Sequence, residues 1–230
     1  MRFSKTQTMS RLDGGLIVSC QAYPGEPMRD PRTMAQIARA AVAGGAAGIR
    51  LQGLDDIRAG ADLDVPVVGL VKAGESEVFI TPTLEHAVAV AVAGADIVAL
   101  DGTRRPRPDG LSLADTIARL RAEHDVLVMA DCGSLDDAVA AEAAGADLLG
   151  TTLSGYTPER PKTTGPDLEL IALIAARCER PVVAEGRIHS TGSATAARRA
   201  GAFAVCVGTA ITHPSTITSW FAEAVAGAAS

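Results

Sequence analysis

Lys72 closes the apolar run VPVVGLV, and Glu185 stands in AEGR after the apolar pair VV. An ammonium at the end of a buried strand is desolvated, and a nearby cation such as Arg50 favours its neutral form further. A neutral lysine amine is either a proton acceptor or a Schiff-base nucleophile. Carboxylates from Asp131 and Glu185 pull the other way, towards the ammonium. A carboxylate followed by Gly186, where the chain can approach a ligand closely, makes Glu185 an acid–base partner for that amine. Other polar residues stand at comparable places behind apolar runs: Gln21, Arg50, Asp101, Asp131, Thr151 with Thr152, Arg187, and Gly208 with Thr209. Together they can bind and polarise a small, oxygen-rich molecule.

These residues lie far apart in the chain, so the elements that carry them must converge. Four segments share a Gly-Ala pair leading into an apolar run: GAAGIRLQ from Gly45, GADIVALD from Gly94, GADLLGTT from Gly145 and GAFAVCVG from Gly201. Each follows an Ala-rich stretch with helical spacing. A glycine just past a helix takes the left-handed cap, and the run after it suits a strand buried on both faces. The spacing of roughly fifty residues holds two strand–helix units, so four periods make eight units. The expected strands are 15–21, 47–52, 65–73, 96–102, 126–132, 146–152, 181–187 and 203–207. The fold expected is a (β/α)8 TIM barrel of the phosphate-binding type, one domain over residues 1–230, with residues 1–14 a helix or cap beneath it. In such a barrel the chemistry sits on the C-terminal rim of the strands, where the polar residues above fall. A plain internal salt-bridge network plugging the barrel top is the alternative for that ring of charges. Charged groups so near a barrel axis must be paired or used.

Glycines follow both the seventh and the eighth strand, in AEGR and VGTAIT. In phosphate-binding barrels those two loops and a short extra helix cradle a phosphate on backbone N–H groups. Gly186, Gly208 and Thr209 fit these roles, and Arg187 adds charge. The longest loop, SGYTPERPKTTGPD, follows the sixth strand and has the length of a lid. The basic loop TRRPRP reads as solvated or interfacial.

Composition excludes several classes. Apolar residues make up 47% and aromatics 3%, leaving no set of stacking platforms for single-stranded nucleic acid. The formal charge of −6 gives no basic footprint for nucleic acid or an anionic membrane. No apolar stretch approaches the ~20 residues of a membrane span, so a cytoplasmic location is expected. Cys20, Cys132, Cys178 and Cys206 lack metal or redox spacing and read as reduced, mostly buried thiols. His86, His124, His189 and His213 have no ligand spacing and read as solvated or capping residues, so no metal is expected. No nucleotide fingerprint follows a strand.

In order along the chain, GGLIVSCQ (14–21), GIRLQG (48–53), ITP (80–82), DGTRRPRP (101–108), MADC (129–132), GADLLGTTLSGYT (145–157), AEGR (184–187) and VGTAIT (207–212) resemble the N-acetylmannosamine-6-phosphate 2-epimerase family. Lys72 falls at that family's strand-three lysine. The resemblance implies an isomerase that interconverts N-acetylmannosamine 6-phosphate and N-acetylglucosamine 6-phosphate, in the breakdown of sialic acid and related amino sugars. It implies Lys72 and Glu185 as the catalytic pair, Gln21, Arg50 and Asp131 around the sugar, no metal or organic cofactor, and a homodimer. Three positions depart from the family: Gln52 for a glutamate, Ala73 for a basic residue, and His213 for an arginine, the last removing one anion contact near the phosphate. A Schiff-base sugar-phosphate aldolase built on Lys72 and a catalytically idle sugar-phosphate-binding barrel are the alternatives.

Overall fold

In this computed structural model, which describes residues 3–228, eight parallel strands close into a barrel in chain order. The strands are β1 (Leu16–Cys20), β2 (Gly48–Gln52), β3 (Val67–Leu70), β4 (Ile97–Asp101), β5 (Leu127–Asp131), β6 (Leu148–Gly150), β7 (Val182–Glu185) and β8 (Ala204–Val207). Each is shorter than its expected span, and in all but β2 and β8 the last residues of the span leave the ladder to build the rim. Helices alternate with them: α2 (Pro31–Ala43), α3 (Leu54–Ala59), α4 (Leu84–Val92), α5 (Leu113–Glu123), α6 (Leu135–Ala143), α7 (Leu168–Arg177) and α8 (Thr191–Arg199). A leading helix α1 (Lys5–Leu12) precedes them, and α9 (Thr209–Thr212) and α10 (Pro214–Gly227) follow β8. Pro214 has no N–H to continue a helix and separates α9 from α10.

The repeating glycines do what their spacing predicts. Gly45, Gly94, Gly145 and Gly201 have φ of 97°, 109°, 97° and 105°, a region only glycine enters without a Cβ clash. Each reverses the chain from a helix end into the next strand. Helix starts are equally explicit: Asp30, Thr83, Ser112, Ser134, Asp167 and Ser190 each accept a backbone N–H of the first turn.

Two apolar layers result. Residues such as Ile49, Leu51, Val98, Val128 and Leu149 face outward against the helices. Ile17, Val68, Leu70, Ile97, Leu127, Met129, Leu148 and Val183 fill the barrel, and Leu12 of α1, fully buried, closes its lower end. Side chains alternate along a strand, so the inward parity of each is fixed by these packed residues. Carried one or two steps further, the same parity places Gln21, Arg50, Lys72, Asp101, Asp131, Thr152, Glu185 and Cys206 above the apolar filling. The rim is the last layer of the core, made polar.

Candidate active site

A cavity of about 410 Å³ opens at the rim, lined among others by Gln21, Arg50, Lys72, Thr152, Glu185 and Gly208. Its floor is an ion cluster. Arg50 is 1% exposed and gives both terminal nitrogens to Asp131, at 2.7 Å and 3.3 Å. Its Nη1 also lies 3.3 Å from Glu185 Oε2. Burial works against the guanidinium charge, but Asp131 and Glu185 outweigh it and hold Arg50 protonated. Asp131 is fully buried, takes the Thr152 hydroxyl at 2.7 Å, and does not itself line the cavity. It orients Arg50 and Thr152, which do.

Lys72 does not lie in β3. It stands two residues beyond, on one arm of an antiparallel turn where it pairs with Ile80, and Ala73 N–H reaches Phe79 O at 3.0 Å. Its Nζ lies 5.1 Å from the centre of the Tyr23 ring. Burial, and after it the charge of Arg50, lowers its pKa from the ordinary lysine value, against the opposing pull of Glu185 and Asp131. Glu185 shifts the other way: burial raises its pKa, Arg50 opposes that, and Asp131 adds to it. A lysine pushed down and a glutamate pushed up in one cavity approach each other in proton affinity, the condition for passing a proton through a substrate at neutral pH.

Two residues expected at the site have other work. Thr151 is 2% exposed and exchanges hydrogen bonds with the Glu185 backbone, donating to its carbonyl at 2.9 Å and accepting its N–H at 3.0 Å. It continues the ladder that positions Glu185, and Thr152 is the residue that meets the cavity. Arg187 touches the cavity edge, but its donors are taken by Ser154 O at 2.8 Å, Gly165 O at 3.0 Å and Thr163 Oγ1 at 3.1 Å. The cause is Gly186 with φ 105°, followed by Arg187 itself at φ 55°, which turns the side chain out of strand parity towards the long loop after β6. Arg187 ties down that loop from the cavity edge.

Gly186, Gly208 and Thr209, the residues expected to cradle a phosphate, all line the cavity, and α9 begins at Thr209. The 71–81 turn, with Lys72, forms another part of the wall. Four more lining residues are not reached by strand position, although the family resemblance puts His213 near the phosphate. Tyr23 and Tyr156, half exposed, come from the β1 and β6 loops. His189 stands at the mouth, 4.7 Å from the Trp220 ring, and is not merely solvated. His213 is half-buried, its Nδ1 2.6 Å from Thr216 Oγ1 and its Nε2 2.6 Å from Glu26 Oε1. All four follow a strand end by more than two residues, beyond the reach of strand parity. His86 and His124 do sit at helix ends, as expected. Among the described residues no cluster of His, Cys, Asp or Glu is arranged to hold a metal ion.

The basic loop after β4 is structural. Arg105 pairs with Asp101 at 3.0 Å, Arg104 with Asp137 at 3.2 Å, and Arg107, 7% exposed, donates to the carbonyls of Asp101 and Thr81 at 2.9 Å and 2.7 Å. Cys20, Cys132 and Cys206 are buried and Cys178 half-buried, all free thiols.

A closed parallel barrel with a rim cavity joining a lysine, a glutamate and a buried arginine–carboxylate pair defines a (β/α)8 barrel of the type that works on small molecules at its C-terminal face. Residues 34–227 match the family model described as "Putative N-acetylmannosamine-6-phosphate epimerase". A protein of Cutibacterium acnes named "Putative N-acetylmannosamine-6-phosphate 2-epimerase" is 60% identical over 94% of this chain and 96% of its own. One of Caldanaerobacter subterraneus with the same name is 45% identical over 93% and 92%. The solved N-acetylmannosamine-6-phosphate 2-epimerase of Clostridium perfringens superposes with a TM-score of 0.90 at 37% identity, covering 94% of this chain and 95% of the other. A thiamine phosphate pyrophosphorylase of Pyrococcus furiosus, at 21% identity and a TM-score of 0.61, shares the fold. The chain belongs to the N-acetylmannosamine-6-phosphate epimerase family.

Proposed function

We propose that this protein interconverts N-acetylmannosamine 6-phosphate and N-acetylglucosamine 6-phosphate by moving the proton on the carbon that bears the N-acetyl group. The observation that carries this is the meeting of Lys72 and Glu185 in one cavity over Arg50, in a chain of that family. In the open-chain sugar that carbon adjoins the aldehyde, so its proton leaves as an enolate forms. Burial lowers the Lys72 pKa, and its neutral amine accepts the proton. Arg50, held in place by Asp131, faces the developing oxyanion, and Glu185 is the acid–base partner for return of a proton on the opposite face. Gln21, whose amide donates to Ser19 Oγ at 2.8 Å, is held to face the sugar. Gly186, Gly208 and Thr209 receive the phosphate on backbone N–H groups, fixing the sugar remote from the reacting carbon. The residues supply acid, base and oxyanion contact without a metal or organic cofactor.

The protein acts as a single barrel domain on a small sugar phosphate, not on nucleic acid, and its charge of −6 supports that. A cytoplasmic site of action follows from the substrate, whose ionised phosphate does not cross a bilayer. No helix among the described residues is long and apolar enough to span one. A homodimer is supported by α10, in which Phe221 is 70% and Val225 73% exposed.

The test is incubation with N-acetylmannosamine 6-phosphate in heavy water, followed by NMR. Deuterium at the inverted carbon of N-acetylglucosamine 6-phosphate is expected. Lys72→Ala is expected to abolish it with the fold intact, and activity within about tenfold of the parent would remove Lys72 as the base. Carbon–carbon cleavage, with covalent trapping on Lys72 by borohydride, would refute epimerisation in favour of an aldolase.

A further inference from the structure

We infer that Arg107 is a positioning residue for Lys72, acting through Thr81 across the base of the turn that carries the lysine. The inference rests on the reading of Lys72 as the base. The turn 71–81 reaches solvent at its tip, residues 74–77, and leaves the barrel wall where β3 ends at Leu70. Lys72 is therefore not held by a strand ladder on both sides, as Asp131 is between Asp101 and Gly150. Its place depends on the opposite arm, with which it pairs at Ile80. That arm is fastened at Thr81, fully buried, whose N–H donates to Val71 O at 2.7 Å and whose hydroxyl accepts Val71 N–H at 3.2 Å. Thr81 has φ 44°, a strained conformation for a β-branched residue, which persists only where the surroundings impose it.

What imposes it comes from β4 and the basic loop after it. Asp101 N–H donates to Ile80 O at 2.9 Å, and Asp109 accepts Leu84 N–H at 2.8 Å just beyond the turn. Between these, Arg107 Nη2 donates to Thr81 O at 2.7 Å while Nη1 donates to Asp101 O at 2.9 Å. The planar fork bridges two backbone carbonyls on different elements, a geometry that a lysine ammonium cannot reproduce with both distances. Arg107 does not line the cavity, so it touches no substrate. The charged groups that act on Lys72 are Arg50, Glu185, Asp131 and Arg29, and Arg107 is not among them. Its influence is through placement alone.

The experiment compares Arg107→Ala and Arg107→Lys with the parent and with Lys72→Ala, each as folded full-length protein by far-UV circular dichroism. In the Ala variant kcat is expected to fall by roughly a hundredfold, the cost of an approach loosened by about 1 Å, with KM within about threefold. The Lys variant is expected to fall between the Ala variant and the parent. A loosened turn lets water reach the Lys72 amine and raises its pKa. Since the neutral amine is the active form, the acid limb of kcat is expected to move to higher pH. Millimolar guanidinium is expected to restore activity to Arg107→Ala and not to Lys72→Ala. Should neither Arg107 variant fold, Thr81→Val, which removes the hydroxyl that accepts Val71 N–H, is expected to give the same kcat loss and limb shift. A normal kcat, a change confined to KM, or a loss of kcat with the acid limb unmoved overturns the inference. An active Lys72→Ala enzyme overturns the reading beneath it, whereas an inactive Lys72→Ala beside a normal Arg107→Ala overturns this inference alone.

Discussion

Replacing Arg50 with methionine separates the charges that make up the cavity floor. Arg50 is 1% exposed and is the cation that both Asp131 and Glu185 face. Methionine keeps much of the side chain's bulk but leaves two buried carboxylates without their counterion. Breaking a buried pair from one side costs about 3–5 kcal/mol. For a chain of this length the unfolding entropy is about 0.5 kcal/mol/K, so Tm is expected to fall by roughly 6–10 °C near neutral pH. The loss should depend on pH in a definite direction. Burial already raises the Glu185 pKa, Arg50 restrains it, and Asp131 adds to the rise, so removing Arg50 lifts it further. A carboxyl whose native pKa exceeds its unfolded one binds more protons folded than unfolded. Stability then falls as pH rises from the unfolded value through the native one, and acid restores it. The deficit is therefore expected to be smaller at about pH 5.5 than at about pH 8. Thermal melts of both proteins followed by far-UV circular dichroism measure it. A deficit below about 2 °C, or one that does not change across that range, would refute the account of the cluster.

Glu185→Gln is expected to lose kcat with KM nearly unchanged, and a change in KM alone would reduce Glu185 to a sugar contact. Arg187→Ala removes three donors from the loop after β6, so KM should rise about tenfold and proteolysis should begin within residues 155–165. A loop as resistant as the parent's would show that Arg187 does not hold it. Gly208→Asp puts a carboxylate into the proposed phosphate cradle of bare N–H groups. At ~4 Å and an effective dielectric of ~20 the repulsion is about 4 kcal/mol, roughly a thousandfold in affinity, and the unphosphorylated sugar should be spared. Equal losses for both sugars, in a folded variant, would move the phosphate elsewhere.

The barrel was legible because its punctuation is backbone chemistry: a glycine forced to positive φ at Gly45, Gly94, Gly145 and Gly201 admits few other readings. Lys72, Glu185 and Arg50 were legible because parity and burial hold across short apolar strands. Thr151 was misplaced because ADLLGTT does not announce where β6 ends, although counting inward residues from Leu148 selects Thr152. Arg187 has the right parity and still reaches only the cavity edge, since two successive positive-φ residues turn the chain and no strand pattern encodes that. Arg104, Arg105 and Arg107 looked solvated because the carboxylates and carbonyls that absorb them lie on elements the local sequence does not name.

The distribution of rings has an optical consequence. The chain has one tryptophan and two tyrosines, and all three stand at the mouth of the barrel: Tyr23 and Tyr156 in the cavity wall, Trp220 against His189. The barrel interior holds none of them. Tyrosine and tryptophan absorption and fluorescence of this protein are thus signals of its entrance. Ligand arrival can be followed without a label, and a fluorescence melt would record the entrance loosening while the eight strands remain closed.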